Sequence, residues 1–200
     1  ILRMLRRVVK KFVDYRGKTP KKTDGGIPLI TARNVKDGVI NHYLAPEFIN
    51  EEEYAEWMVR GFPEKGDVIM TTEAPLGEVA QINDEAVALA QRLILFKIDK
   101  KLMLNEFFKY QLMSLFGQSE LWSNATGSTA LGIKADRLKA VRIMVPPLNE
   151  QKKIVEFLES KYRVYKDLVN KLECQIDKIS EYKQALITAA VTGKINVREK

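Results

Sequence analysis

A chain of 200 residues that is 46% hydrophobic and 30% charged can build one full domain with an extension, and can bury a core without covalent staples. Its single cysteine, Cys174, excludes a disulfide framework or thiolate metal cage and points to a reducing, cytoplasmic compartment; no apolar run reaches the roughly 18 residues of a membrane span, and residues 1–7 lack a signal-peptide core. The net charge of +7 is uneven, with +8 on residues 1–37, −9 on 38–90, +5 on 91–148 and +3 on 149–200, so a basic opening able to neutralise phosphates precedes an acidic middle.

Residues 27 to 98 read as short strands joined by turns. Ile27-Pro-Leu-Ile-Thr31 starts with an edge-type proline, and Asp37-Gly38 is a hairpin-turn dipeptide between Val35 and Val39. Phe48 to Val59 predicts a short helix with Glu51, Glu52 and Glu53 in its first turn, where the helix dipole favours acids. Lys65-Gly-Asp67 turns into Val68-Ile-Met70, an irregular loop at Ala74-Pro-Leu-Gly77 leads to Val79-Ala-Gln-Ile82, and Arg92 to Ile98 predicts a buried strand. Asn105 to Leu115 carries helical spacing through Phe107, Phe108, Leu112 and Leu115. Strands and helices mix without βαβ alternation, which predicts an α+β fold.

Pro146-Pro147 marks a boundary, and Asn149 is the expected N-cap of the helix that follows. Val155, Leu158, Tyr162, Tyr165, Val169, Leu172, Ile176, Ile179, Lys183, Leu186 and Ala190 are spaced alternately by three and four until Gly193. Five heptads of this kind, about 54 Å long, form a narrow coiled-coil seam with one charged member, Lys183. The expected division is therefore a domain over 1–147, a long helix over 148–192 and a tail over 193–200.

Chemistry-bearing groups are sparse. His42 is the only histidine and has no nucleophile in context. Gly127-Ser-Thr-Ala-Leu-Gly-Ile133-Lys134 fails as a phosphate-binding loop, because Ile133 stands where lysine must follow the second glycine. Asp99-Lys-Lys101 matches the end of a nuclease motif but lacks the proline-aspartate partner. No metal or cofactor site is expected. A metal-dependent nuclease and a coiled-coil adaptor that does not touch DNA are two readings these features leave open.

The segment Val145-Pro-Pro-Leu-Asn-Glu-Gln151 opening the helix, and Ala190-Val-Thr-Gly-Lys-Ile195 closing it, strongly resemble the two boxes of the specificity subunit of type I restriction-modification systems. Arg16-Gly-Lys-Thr-Pro20, Gly66-Asp-Val-Ile-Met-Thr-Thr72, Gly77-Glu-Val-Ala80 and Gly127-Ser-Thr129 resemble that family's target-recognition domain in order and spacing. The resemblance implies a non-catalytic subunit that holds one half of a bipartite double-stranded DNA target. It also implies a scaffold for adenine-N6 methylating subunits and, through the complex, for the motor-nuclease subunit. A typical member has two recognition domains and two helices; this chain has one of each. It is expected to be a natural half-subunit or half of a longer chain, pairing through the seam with a second half or with its own copy.

Groove-reading chemistry calls for Arg, Lys, Asn, Gln and Thr on loops. The candidates are Arg16, Lys18, Thr19, Lys21, Lys22, Arg33, Asn34, Thr72, Gln91 and Arg92, with Lys134 and Arg137 as phosphate contacts. Dimerisation is assigned to Val155, Leu158, Tyr162, Tyr165, Val169, Leu172, Ile176, Ile179 and Leu186.

Overall fold

The computed structural model describes residues 1–15, 19–83, 86–127 and 131–195. They fall into two compact units dividing between Ile154 and Val155, within the first turns of the last helix.

The first unit is built on a four-stranded antiparallel sheet in the order β2 (Val9–Asp14), β10 (Leu93–Ile98), β7 (Val68–Thr72) and β8 (Leu76–Gln81). Side chains alternate across it, as the two-residue period of a strand requires. Val13, Leu95, Ile69 and Ala80 lie in register on one face. They belong to a core cluster shared with Leu29 and Ile30 of β3 (Ile27–Ile30) and with β9 (Ala88–Leu89). The neighbouring row holds Phe12 and Phe96, whose ring stands edge-on to Phe12 at 5.8 Å and to Phe108 of α2 (Asn105–Met113) at 5.2 Å. Both faces are covered, which is why β10 reads as apolar from Leu93 to Phe96, with Lys97 the one charged member. β3 also pairs antiparallel with β6 (Phe48–Ile49) and parallel with β9.

The basic opening, read from its charge, is partly structural. β1 (Leu2–Met4) pairs antiparallel with β11 (Arg142–Met144), joining the two ends of the unit. In β2, Val9 and Val13 are buried while Lys10 and Lys11 project. The Asp37-Gly38 turn is present between β4 (Val35–Lys36) and β5 (Val39–Ile40), both residues taking positive φ, 51° and 83°. α1 (Glu51–Trp57) is capped by Asn50, which accepts from the Glu52 N–H at 3.0 Å. Its Tyr54 hydroxyl and Trp57 indole donate to the Val87 and Leu89 carbonyls, leaving the glutamates outside. Ser114 ends α2 and caps α3 (Leu115–Ser123), so the predicted helix is interrupted and resumed.

α3 is fastened to β11 by Glu120, a buried carboxylate accepting from the Arg142 backbone and guanidinium at 3.1 Å. Hydrogen bonding to Arg142 holds this acid below the ordinary range, against the opposing effect of burial. α4 (Ala135–Leu138) follows a segment fixed by the Ile133 N–H on the Thr72 carbonyl.

α5 runs from Leu148 to Val191, 44 residues. It begins one residue earlier than the expected cap, because the Pro147 carbonyl already accepts from Glu150 and Gln151. Asn149 is thus inside the first turn, and its side chain bonds only the adjacent Glu150 N–H. Gln151 is fully buried. Its Oε1 accepts from the Leu104 N–H at 2.9 Å, and its Nε2 donates to the Leu102 and Pro146 carbonyls at 2.9 and 2.8 Å. The helix ends on Gly193 at φ 74°, with Lys194 N–H returning to the Ala189 carbonyl and Gly193 N–H to Ala190, a left-handed stop for which glycine is suited.

Candidate nucleic-acid interface

One concavity of about 280 Å³ gathers Thr19, Lys22, Arg33, Gln91 and Arg92, residues drawn from three separate segments, over a floor of Leu29, Ala74 and Ala90. Three loop anchors make this possible. Thr31 and Asn34 form a reciprocal cap around residues 32–34, which sets Arg33 outward. The Ala90 N–H on the Ile30 carbonyl places the Gln91-Arg92 turn beside it. Lys22 is held by Glu47 at 2.9 Å.

Charge in the concavity is balanced more than composition suggests. Lys22 faces Glu47, and Arg92 Nε lies 2.9 Å from Glu73 Oε1. The surface therefore offers oriented donors more than a bare positive field, the arrangement suited to reading neutral acceptors rather than only gripping phosphates.

Two residues expected to read bases face inward. Asn34 is 1% exposed, and its amide is committed: Oδ1 accepts from the Thr31 N–H and hydroxyl, while Nδ2 donates to the Asn41 and Ala45 carbonyls. It staples the 41–45 loop at its base instead of reaching out. Thr72 is likewise 1% exposed, as the last residue of β7; its neighbour Glu73 instead pairs with Arg92 of the concavity. Lys21 is exposed but lines a different depression, with Glu53, Glu56 and Trp57. Lys134 and Arg137 are exposed at α4, next in chain to the Ile133 bond on Thr72. Arg16 and Lys18 lie outside the described residues, as do Ser128 and Thr129 of the Gly127 motif.

Sequence reasoning missed Glu73 and Gln151. Glu73 had one visible signal, its place directly before the Ala74-Pro75 turn; Gln151 had its place in the Pro-Pro-Leu-Asn-Glu-Gln box. A further loop tip carries Tyr43, 94% exposed, and Leu44.

Other chemistry is otherwise engaged. Asp99 accepts from the Lys101 N–H and faces Lys10 at 3.3 Å, and the backbone bond leads in holding its carboxyl low. Among the described residues no cluster of three His, Cys, Asp or Glu side chains could hold a metal, and no helix is long and apolar enough to cross a membrane. Cys174 is exposed on α5.

In the second unit, Tyr165, Leu172, Ile176, Ile179 and Leu186 are 46–67% exposed, and Val155, Leu158, Tyr162 and Val169 are half-buried. Phe157, Val164 and Leu168 are also exposed, so the apolar surface of α5 is wider than the narrow seam.

The family model for the type I restriction modification DNA specificity domain matches residues 9–178. The chain belongs to this family. Curated relatives within it include the type I restriction enzyme EcoBI specificity subunit of Escherichia coli, 26% identical over 88% of this chain and 34% of its own length. The MjaVIII specificity subunit of Methanocaldococcus jannaschii is 25% identical over 88% of this chain and 41% of its own. This chain thus spans about a third of the length of the curated relatives it matches. The HsdS subunit from Thermoanaerobacter tengcongensis superposes with a TM-score of 0.61 at 19% identity, covering 98% of this chain and 45% of that one. The S subunit from M. genitalium gives 0.57 at 18%, covering 94% and 46%. The specificity-domain fold, mixed α+β with a long C-terminal helix, is therefore shared, as the sequence predicted.

Proposed function

We propose that this specificity-domain chain recognises one half of a bipartite duplex DNA target through the concavity built from Thr19, Lys22, Arg33, Gln91 and Arg92. The single observation that carries the reading is the convergence of these polar side chains, distant in sequence, on one open surface within a family defined by DNA specificity. Lys134 and Arg137 contribute phosphate contacts from α4. The chain supplies recognition and leaves chemistry to others: adenine-N6 methylating subunits assemble on it, and the motor-nuclease subunit joins through that complex. No cofactor is needed.

The exposed apolar surface of α5 is the support for pairing with a second half-subunit or with a second copy of this chain. An antiparallel pair of such helices is a rigid spacer, which fixes the number of unread base pairs between half-sites. If the partner is a copy, two-fold symmetry demands an inverted-repeat target.

The test is selection from a random duplex library at fixed salt, with the chain alone and co-purified with a methylating subunit. Enrichment of a short defined motif is expected. Recovery of all sequences alike in both preparations, with binding that only follows salt, refutes the reading.

A further inference from the structure

Arg92 occupies backbone that its side chain disfavours. Its φ is 72°, in the left-handed region where glycine is free and a long side chain is strained. Among the described residues two other non-glycines share positive φ: Asp37, in the tight hairpin turn, and Ala74, before Pro75. Such strain persists where the surroundings over-determine it and a side chain has work to do.

The surroundings are rigid on both sides. The Thr72 N–H donates to the Arg92 carbonyl at 2.8 Å, tying the turn to the end of β7. The Ile133 N–H donates to the Thr72 carbonyl at 2.9 Å, and Glu73 bridges to Gly132. A Cβ on Gly132 would stand 3.2 Å from the Glu73 Cβ, so this close approach holds the glutamate in place. Glu73 Oε1 then takes Arg92 Nε at 2.9 Å. The two terminal amino groups of Arg92 have no protein partner among the described residues, and the side chain is half exposed beside Gln91 and Arg33.

Resting on the recognition reading above, we propose that Arg92 reads a guanine in the major groove of the target and that Glu73 is its positioning residue. The chemistry favours a base over a phosphate. A carboxylate 2.9 Å from the guanidinium cancels most of its long-range pull on an anion. It leaves intact the parallel N–H pair that matches guanine O6 and N7.

The same random-duplex selection, repeated with Arg92→Lys and Glu73→Gln, decides the matter. The wild-type motif is expected to contain an invariant guanine. Arg92→Lys keeps the charge but loses the fork, and should lower preference for that one base by about ten- to hundredfold while the other positions stand. Glu73→Gln should weaken the same preference while raising salt-sensitive binding to unrelated duplexes, two opposite changes that general loosening of the fold would not produce. Replacing the guanine by 7-deazaguanine should cost wild-type binding directly, a readout that holds even where a variant fails to fold. A motif without guanine, or one unchanged at every position in Arg92→Lys, overturns the assignment and leaves the recognition reading standing. Failure of the wild type to select any motif overturns both.

Discussion

Replacing Gln151 should loosen the hold of the first unit on residues 148–154 more than replacing any exposed residue of that stretch could. Its amide makes three hydrogen bonds, to Leu104 N–H and the Leu102 and Pro146 carbonyls, from a fully buried position. At about 1 kcal/mol net for each bond, Gln151→Met, which keeps volume and removes the polar groups, should cost about 3 kcal/mol. Gln151→Glu keeps the acceptor towards Leu104 but turns a carboxylate on two carbonyl oxygens, and should cost more at neutral pH. Burial and those carbonyls raise the folded pKa of such an acid above its unfolded value. The extra loss is therefore absent below the unfolded pKa, about 4.3, and grows as pH rises towards the folded one. Urea unfolding followed by Trp57 and Trp122 fluorescence, both within the first unit, reads the change as a shifted midpoint at constant slope. A loss under about 1 kcal/mol in Gln151→Met, or no pH dependence separating the Glu and Met variants, would refute the reasoning.

Three further outcomes are expected. Glu120 is held low by Arg142, so it adds stability above the ordinary carboxylate value of 4.5 that is lost as pH falls through its lower folded pKa. Melting temperatures between pH 7 and 3 should accordingly fall more steeply in the wild type than in Glu120→Gln, which starts lower. Asn34→Ala removes the staple of the 41–45 loop and should cost about 2 kcal/mol, with faster hydrogen exchange at Asn41 to Ala45; unchanged exchange there would contradict the staple. Leu172→Lys together with Ile176→Lys places charge on the exposed seam and should convert a paired chain to a monomer in light scattering, with the helix content by circular dichroism little changed in the first unit.

Much of the fold was legible because it obeys short-range rules. The Asp37-Gly38 hairpin, the apolar β10 and the proline-bounded α5 each announce themselves by turn chemistry, run length or period. β1 and β2 did not, since alternating valine and lysine in Val9 to Val13 registers as charge before it registers as a half-buried strand. The cap of α5 moved from Asn149 to Pro147, because a proline carbonyl takes the capping acceptor's place, which composition does not reveal.

The candidate interface was legible by residue type but not by direction. Arginine and lysine on loops lie outside almost by default, so Lys22, Arg33 and Arg92 were placeable. Asparagine and threonine can face either way; Asn34 turned in because four main-chain and side-chain groups around its loop needed an amide at their centre. Glu73 falls outside the Arg, Lys, Asn, Gln and Thr set from which the candidates are drawn. Its role is visible only once the chain has brought residue 73 beside residue 92.

The pairing of β1 with β11 has a mechanical meaning. Strand partners are about 5 Å apart, so the polypeptide enters and leaves the first unit through nearly the same doorway. A unit closed in this way behaves as a cassette. Its interior can be rebuilt, its reading loops lengthened or replaced, and the stub it offers to whatever is joined before Leu2 and after Met144 stays where it was. Selection can then act on what is read without disturbing how the reader is mounted.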